Sequence, residues 1–367
     1  MANIRKLIFL FFEVFFIFYL IFKMLFRKTK LTNFINSTRF FTQPIQQLIY
    51  REHGNPAEVL TLSNKELEFD KLERQQVLVK WLAAPINPAD INQVQGAESS
   101  SSRGSEGCAQ VIKVGSDVAE FKENDLIVPA ISGIGTWCSH GIYDSKELFL
   151  VEGDVKDFIF LSMLQTNPST AYRMLKDFVN LSYGDIVVQN GANSSVGHFV
   201  IQICRILGVK TVNVVRDRPQ IEILKNQLKK SGADEVYTEE EFSTLIRSNK
   251  LKAKLALNCV GGKSGMILSR ALELGGTMVT YGGMSQNPSV GFWMSRWYGM
   301  RQNIEERKNM YKELIGWYKN GELTLPKYQR KNLEEYKDAI NQSTQSDSSS
   351  IKSKQIFTKK GNDHYFD

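Results

Sequence analysis

Two arginines, Arg216 and Arg218, flank Asp217 just after the apolar run Lys210–Val215, downstream of a turn rich in small residues, residues 190–197. Small residues let backbone N–H groups approach a pyrophosphate at the positive end of the following helix. Where a dinucleotide-binding unit specific for NAD presents an acid to the ribose hydroxyls, this chain presents arginine, which suits the 2′-phosphate of NADP. The pattern therefore points to NADPH, and the neighbouring Asp217 is the residue that weighs against it. Packing alone is the alternative reading of such a turn.

Those residues need a strand, a turn, a helix and a second strand to hold them. Residues 186–189 form a short apolar run after a Gly-Asp pair, as expected for a strand buried on both faces of a parallel sheet. Residues 198–207 carry Phe199, Val200, Ile203 and Leu207 at helical spacing, and Gly208 is placed to stop the helix. Upstream, residues 77–81, 109–114 and 126–129 read as strands separated by Pro, Gly, Asn and Asp, whereas helix and strand alternate from about Ala171. Residues 305–317 have the spacing of an amphipathic helix, and 355–358 read as a last strand.

The chain has 367 residues, 42% of them hydrophobic, enough for about two domains with a large core. Its net charge of +7 is unevenly spread, because Glu13 is the only acid between Met1 and Arg51. The remaining body is near neutral, which argues against nucleic acid as a partner. Cys108, Cys138, Cys204 and Cys259 are far apart, and His53, His140, His198 and His364 show no ligand spacing, so the expectation is no metal site, no disulfide framework and a reducing compartment. Cys204 and Cys259 read as core residues.

The N-terminus admits two readings. Residues 7–26, from Leu7 to Phe26, are long and apolar enough for a membrane anchor, with Glu13 and Lys23 as the only charges. Residues 27–50 lack acids and mix basic residues with Ser and Thr, as organelle transit peptides do. Mitochondrial import with cleavage near residues 41–43 is the leading expectation; a retained anchor in the endoplasmic reticulum membrane, with the body in the cytosol, is the rival.

Seven ordered blocks carry a resemblance: PINPADINQVQG (85–96), SEGCAQVIKVGSDV (105–118), TNPSTAYRML (166–175), NVVRDRP (213–219), LALNCVGGKS (255–264), GGTMVTYGGMS (275–285) and GFWMSRW (291–297). From Gln47 onward the chain resembles the mitochondrial trans-2-enoyl-thioester reductases, a zinc-free branch of the medium-chain dehydrogenase/reductase superfamily. The resemblance implies an α/β protein with a GroES-like β lobe, residues 47–170, and an inserted Rossmann lobe with a doubly wound parallel sheet, residues 171–320. Residues 321–367 would return to the first lobe, and residues 1–46 would be the targeting or anchor segment. It also implies NADPH-dependent reduction of the C2–C3 double bond of an enoyl thioester of acyl carrier protein or coenzyme A, by a homodimer serving mitochondrial fatty acid synthesis.

The resemblance implies cofactor contacts as well. Asn167 matches a residue beside the nicotinamide ribose. Asn193, Ser194, Ser195 and Val196 match the diphosphate turn, although relatives usually have glycine where this chain has Ser195. Arg216, Asp217 and Arg218 match the 2′-phosphate side. Tyr281, Gly282, Gly283 and Met284 match a turn at the nicotinamide end, and Phe292, Trp293, Met294 and Ser295 a segment near the nicotinamide and acyl channel. Lys354 matches a cofactor-contacting lysine.

Two departures stand against these agreements. After Gln95-Gly96 the family continues to a tyrosine that donates a proton or orients the enolate, whereas this chain reads AESSSSRG over 97–104 and names no replacement acid. After residues 285–288 the family carries a further strand-forming stretch tied to the dimer contact; here Ser289 and Val290 lead straight to Gly291. An active reductase is therefore expected first, with a catalytically degraded paralogue that binds NADPH or acyl carrier protein, or a zinc-free quinone reductase, as alternatives.

Overall fold

The structure is a computed structural model that describes residues 42–69, 71–96, 103–248, 251–283, 292, 294–298, 303–344 and 353–358. The expected anchor at 7–26 and residues 27–41 of the transit segment lie outside the described residues. Among the described residues no helix is long and apolar enough to cross a membrane.

Fourteen strands are described: β1 (Thr42–Ile49), β2 (Thr61–Glu68), β3 (Gln76–Pro85), β4 (Cys108–Val114), β5 (Leu126–Pro129), β6 (His140–Asp144), β7 (Leu148–Leu150), β8 (Ile186–Asn190), β9 (Lys210–Val215), β10 (Glu235–Thr238), β11 (Ala253–Asn258), β12 (Leu272–Thr280), β13 (Tyr328–Lys331) and β14 (Lys354–Thr358). β1 and β2 form an antiparallel pair. β1 starts at Thr42 and so crosses the expected boundary at residue 46.

A largely antiparallel sheet runs in the order β13-β14-β3-β4-β5-β7, with β6 also on β3. β3 is buried along most of its length because it is its centre, and it extends past the expected Trp81 to Pro85, where Ile356 of β14 pairs with it. The chain's last described strand therefore closes the sheet that the early strands open. The second sheet is parallel, in the order β10-β9-β8-β11-β12, so the chain reverses its winding direction between β8 and β11. Ligands of such sheets bind beyond the strands' carboxyl ends at that switch point.

Helix Phe158–Leu164 is buried at every position and is capped by Asp157, whose carboxylate accepts from the Ile159 and Phe160 amides. It joins the main core, which takes Leu82 and Val128 from one sheet and Val187 and Leu255 from the other. Tyr318, on helix Ile304–Lys319, stacks on Phe160 at 3.9 Å and donates to Asp157. The core is thus shared by the two sheets.

Candidate active site

The turn after β8 is built by two glycines and one cap. Gly191 has φ +60°, a left-handed conformation disfavoured for other residues. A Cβ on Gly197 would sit 2.6 Å from the Ala192 carbonyl oxygen, so helix Ser195–Leu207 approaches the turn only because that position is glycine. Ser194 caps the helix by accepting from the Gly197 amide at 3.1 Å, and Gly208, φ 67°, ends it. Ser195, the departure from the family's glycine, stands in the first turn with ordinary backbone, since among the described non-glycine residues only Asn124 has positive φ. Asn193 is half-buried, and Val196 packs its side chain on the core.

The carboxyl ends of β8, β11 and β12 are tied together by side chains that the sequence reading passed over. Asn190 accepts from the Cys259 amide at 2.7 Å and donates to Asn258 at 2.9 Å, and Asn258 donates to Thr280 at 3.1 Å. Strands β8 and β11 both end on asparagine, a signal that was visible in the sequence. Tyr281 follows Thr280, and its hydroxyl lies beside Ser194 and the Cys259 thiol. That hydroxyl is buried without a hydrogen-bond partner, and burial holds its pKa well above the ordinary tyrosine value. Gly282 packs on the Cys259 carbonyl, which a Cβ would meet at 2.6 Å. Cys259, expected in the core, is instead half-buried where these turns meet, while Cys204 is fully buried.

At the end of β9, Arg216 and Asp217 are exposed and Arg218 is half-buried. The Arg218 amide donates to Asp217 at 2.8 Å. Burial, then the charge of Arg216, lowers the pKa of Arg218, the signature of two cations held close with incomplete compensation.

A second group of polar residues lies between the sheets. Asn167 opens helix Asn167–Lys176, which packs on helix Ser195–Leu207. Asn167 is 4% exposed and its Oδ1 has no partner. The preceding Thr166 amide donates to Glu106 at 3.0 Å, Glu106 accepts from Asn87 at 2.6 Å, and Asn87 accepts from Lys354. Asn87 and Glu106, with Asp90, were not anticipated from the sequence, because nothing in their spacing brings residues 87, 106 and 354 together.

Phe292 donates its amide to Thr280 at 2.7 Å and packs edge-on against Phe178 at 5.5 Å. Met294 is in the core. Gly283 is half-buried at the end of the described turn. Met284, Trp293, the Ser295 side chain, the serine run at 99–102 and the junction at 288–291 lie outside the described residues.

Residues 73–161 match the alcohol dehydrogenase GroES-like domain and residues 195–313 the zinc-binding dehydrogenase family. The chain is 46% identical over 315 residues to the mitochondrial enoyl-acyl-carrier-protein reductase of Caenorhabditis elegans, covering 80% of this chain and 90% of that one. Among solved structures, the complex of Etr1p with NADP and crotonyl-CoA matches with a TM-score of 0.77 at 30% identity, covering 86% of this chain and all of that one. The mitochondrial 2-enoyl thioester reductase Etr1p/Etr2p heterodimer of Candida tropicalis matches with a TM-score of 0.77 at 31% identity, with the same coverage. This chain belongs to the mitochondrial enoyl-acyl-carrier-protein reductase family.

Proposed function

We propose that this protein is a mitochondrial oxidoreductase that uses NADPH to reduce trans-2-enoyl thioesters of acyl carrier protein or coenzyme A to saturated acyl thioesters, in fatty acid synthesis. The observation that carries the reading is the convergence, at the carboxyl ends of β8, β9, β11 and β12, of a glycine-built turn, a pair of close arginines and an unpartnered buried hydroxyl on Tyr281. These features fit a dinucleotide. The turn exposes a helix N-terminus to a diphosphate, the arginines suit a 2′-phosphate, and orphaned polar atoms on Tyr281 and Asn167 call for hydrogen bonds that the protein itself does not supply.

Residues 193–196 would hold the diphosphate, and Arg216, Asp217 and Arg218 the 2′-phosphate. Asn167, Tyr281, Gly282, Gly283 and Met284 would meet the nicotinamide end, Lys354 would contact the cofactor, and Phe292, Trp293, Met294 and Ser295 would border the acyl channel. NADPH supplies, when bound, the hydride that reaches C3 of the enoyl group. Negative charge then gathers on the thioester oxygen, and C2 takes a proton, so the protein must orient the acyl chain and stabilise that oxygen. With no tyrosine in the serine-rich stretch, no side chain is assigned as the acid. A dimer is the expected assembly.

The test is NADPH oxidation by the purified protein with trans-2-butenoyl-CoA, using NADH as the control cofactor. Oxidation that depends on the enoyl substrate and prefers NADPH is the expected result. Folded, NADPH-binding protein without turnover would transfer the reading to a non-catalytic paralogue.

A further inference from the structure

Asn87, Asp90, Glu106 and Lys354 form a buried polar knot between the return strand and the start of helix Asn167–Lys176. Asp90 and Glu106 are fully buried and Asn87 is 5% exposed. Asn87 sits at the centre. Its amide donates to Asp90 at 2.8 Å, its side-chain nitrogen to Glu106 at 2.6 Å, and its side-chain oxygen accepts from the Lys354 ammonium. The second Glu106 oxygen accepts from the Thr166 amide at 3.0 Å, one residue before Asn167. The second Asp90 oxygen has no partner.

Two buried carboxyls and one ammonium are therefore joined through Asn87. Burial pushes Asp90 up to about 6 and Glu106 up to about 7, and it lowers Lys354; the charge of Lys354 favours both ionised carboxylates, and that of Asp90 opposes ionised Glu106. On neighbouring described elements, His53 and Arg173 have other partners. His53 lies 3.3 Å from the Val94 carbonyl at the far end of helix Pro88–Val94. Arg173 is paired with Asp177 and Glu306, and Lys327 meets Lys354 through its backbone carbonyl.

We propose that Glu106 is a positioning residue of the nucleotide site: with Asp90 it holds Lys354 and the Thr166–Asn167 turn in one frame, and this carboxyl pair takes up a proton when a bound anionic nucleotide draws on the charge of Lys354. The proposal rests on the reading that Lys354 and Asn167 meet NADPH. Its logic is charge balance. Two ionised carboxyls against one lysine leave a surplus negative charge, and a phosphate that competes for the lysine makes that surplus harder to sustain. Protonating one carboxyl restores balance, and the pair titrates as a unit. With only one carboxyl left, as in Glu106→Gln, carboxylate and ammonium already balance and no proton is needed.

The experiment is calorimetric binding of NADP+ to the full-length protein at pH 7 in PIPES and in imidazole buffer, whose differing ionisation enthalpies reveal proton uptake. Uptake is read as the difference between wild type and Glu106→Gln, because the 2′-phosphate of the nucleotide titrates near neutral pH and is common to both. A tenfold rise in the proton affinity of a half-protonated carboxyl corresponds to about 0.4 proton per nucleotide. That difference, with weaker binding by the variant, is expected. Asp90→Asn should abolish the same uptake, which keeps the test open should Glu106→Gln fail to fold. Binding by wild type with no difference in uptake from a folded variant overturns the proposal alone. Absence of NADP+ binding by wild type overturns the functional reading and this proposal with it.

Discussion

Arg307 offers the sharpest test of how the two sheets are held together. It lies on helix Ile304–Lys319, is 4% exposed, and donates to the Pro129 carbonyl at 2.6 Å, the Ala130 carbonyl at 2.8 Å and the Tyr311 hydroxyl at 3.1 Å. Its guanidinium also lies over the rings of Phe149 at 4.0 Å and Tyr298 at 4.2 Å. Arg307→Ala removes all three donors and strands two carbonyls at the end of β5. A buried acceptor left unsatisfied costs about 1–3 kcal/mol, and a desolvated cation over an aromatic ring contributes about 2 kcal/mol. Removing a buried charge also recovers its desolvation penalty, so the terms do not simply add. A net loss of about 3 kcal/mol is expected, a fall in Tm of roughly 5 °C for a chain of this size. Arg307→Lys, which keeps the charge without the planar fork, should fall between the variant and wild type. The assay is thermal unfolding followed by circular dichroism at pH 7. The same substitution should raise the KM for NADPH, because Tyr298 donates to the Gln165 carbonyl at 2.6 Å, beside Thr166 and Asn167. A Tm within 1 °C of wild type for Arg307→Ala would refute the reasoning.

Replacing both Arg216 and Arg218 with Ala should weaken NADPH binding about 100-fold, two charge-assisted contacts at about 1.5 kcal/mol each, and leave NADH unaffected; equal losses for the two cofactors in a fluorescence titration would contradict the 2′-phosphate assignment. Gly282→Ala pushes a Cβ to within 2.6 Å of the Cys259 carbonyl, so the turn after β12 must move, and nucleotide affinity should drop at least tenfold with little change in Tm. In the folded protein Glu106 and Asp90 titrate near 7 and 6 because burial disfavours their charged forms. The folded state therefore holds protons that the unfolded chain releases, and the stabilisation from this pair is complete below about pH 4 and is lost as pH rises through 6 and 7. Unfolding of Glu106→Gln in urea should show a shallower decline over that window, and a pH profile parallel to wild type would exclude the pair as its source.

Local spacing was enough to place two of the five strands of the parallel sheet, β8 and β9, and the helix between them. Lys210–Val215 is the predicted strand, and helix Ser195–Leu207 and β8 differ from expectation by a few residues at their ends. The end of β3 was missed because Leu82–Pro85 owes its extended form to pairing with β14, a partner more than 250 residues away that no local pattern reveals. Likewise Cys259 reads as core from its apolar neighbours, yet it stands where three turns meet because β11 lies between β8 and β12 and ends at the switch point beside β8.

The sequence by itself determined the glycine turn after β8, the arginine pair and the alternation of helix and strand, since each depends on residues within one or two turns of chain, where glycine freedom, capping and periodicity act directly. Only the tertiary structure decided which residues surround them. The Asn190–Asn258–Thr280 tie and the Asn87–Asp90–Glu106–Lys354 knot join segments up to 267 residues apart, and buried polar groups must find partners wherever the fold brings donors and acceptors within hydrogen-bond range.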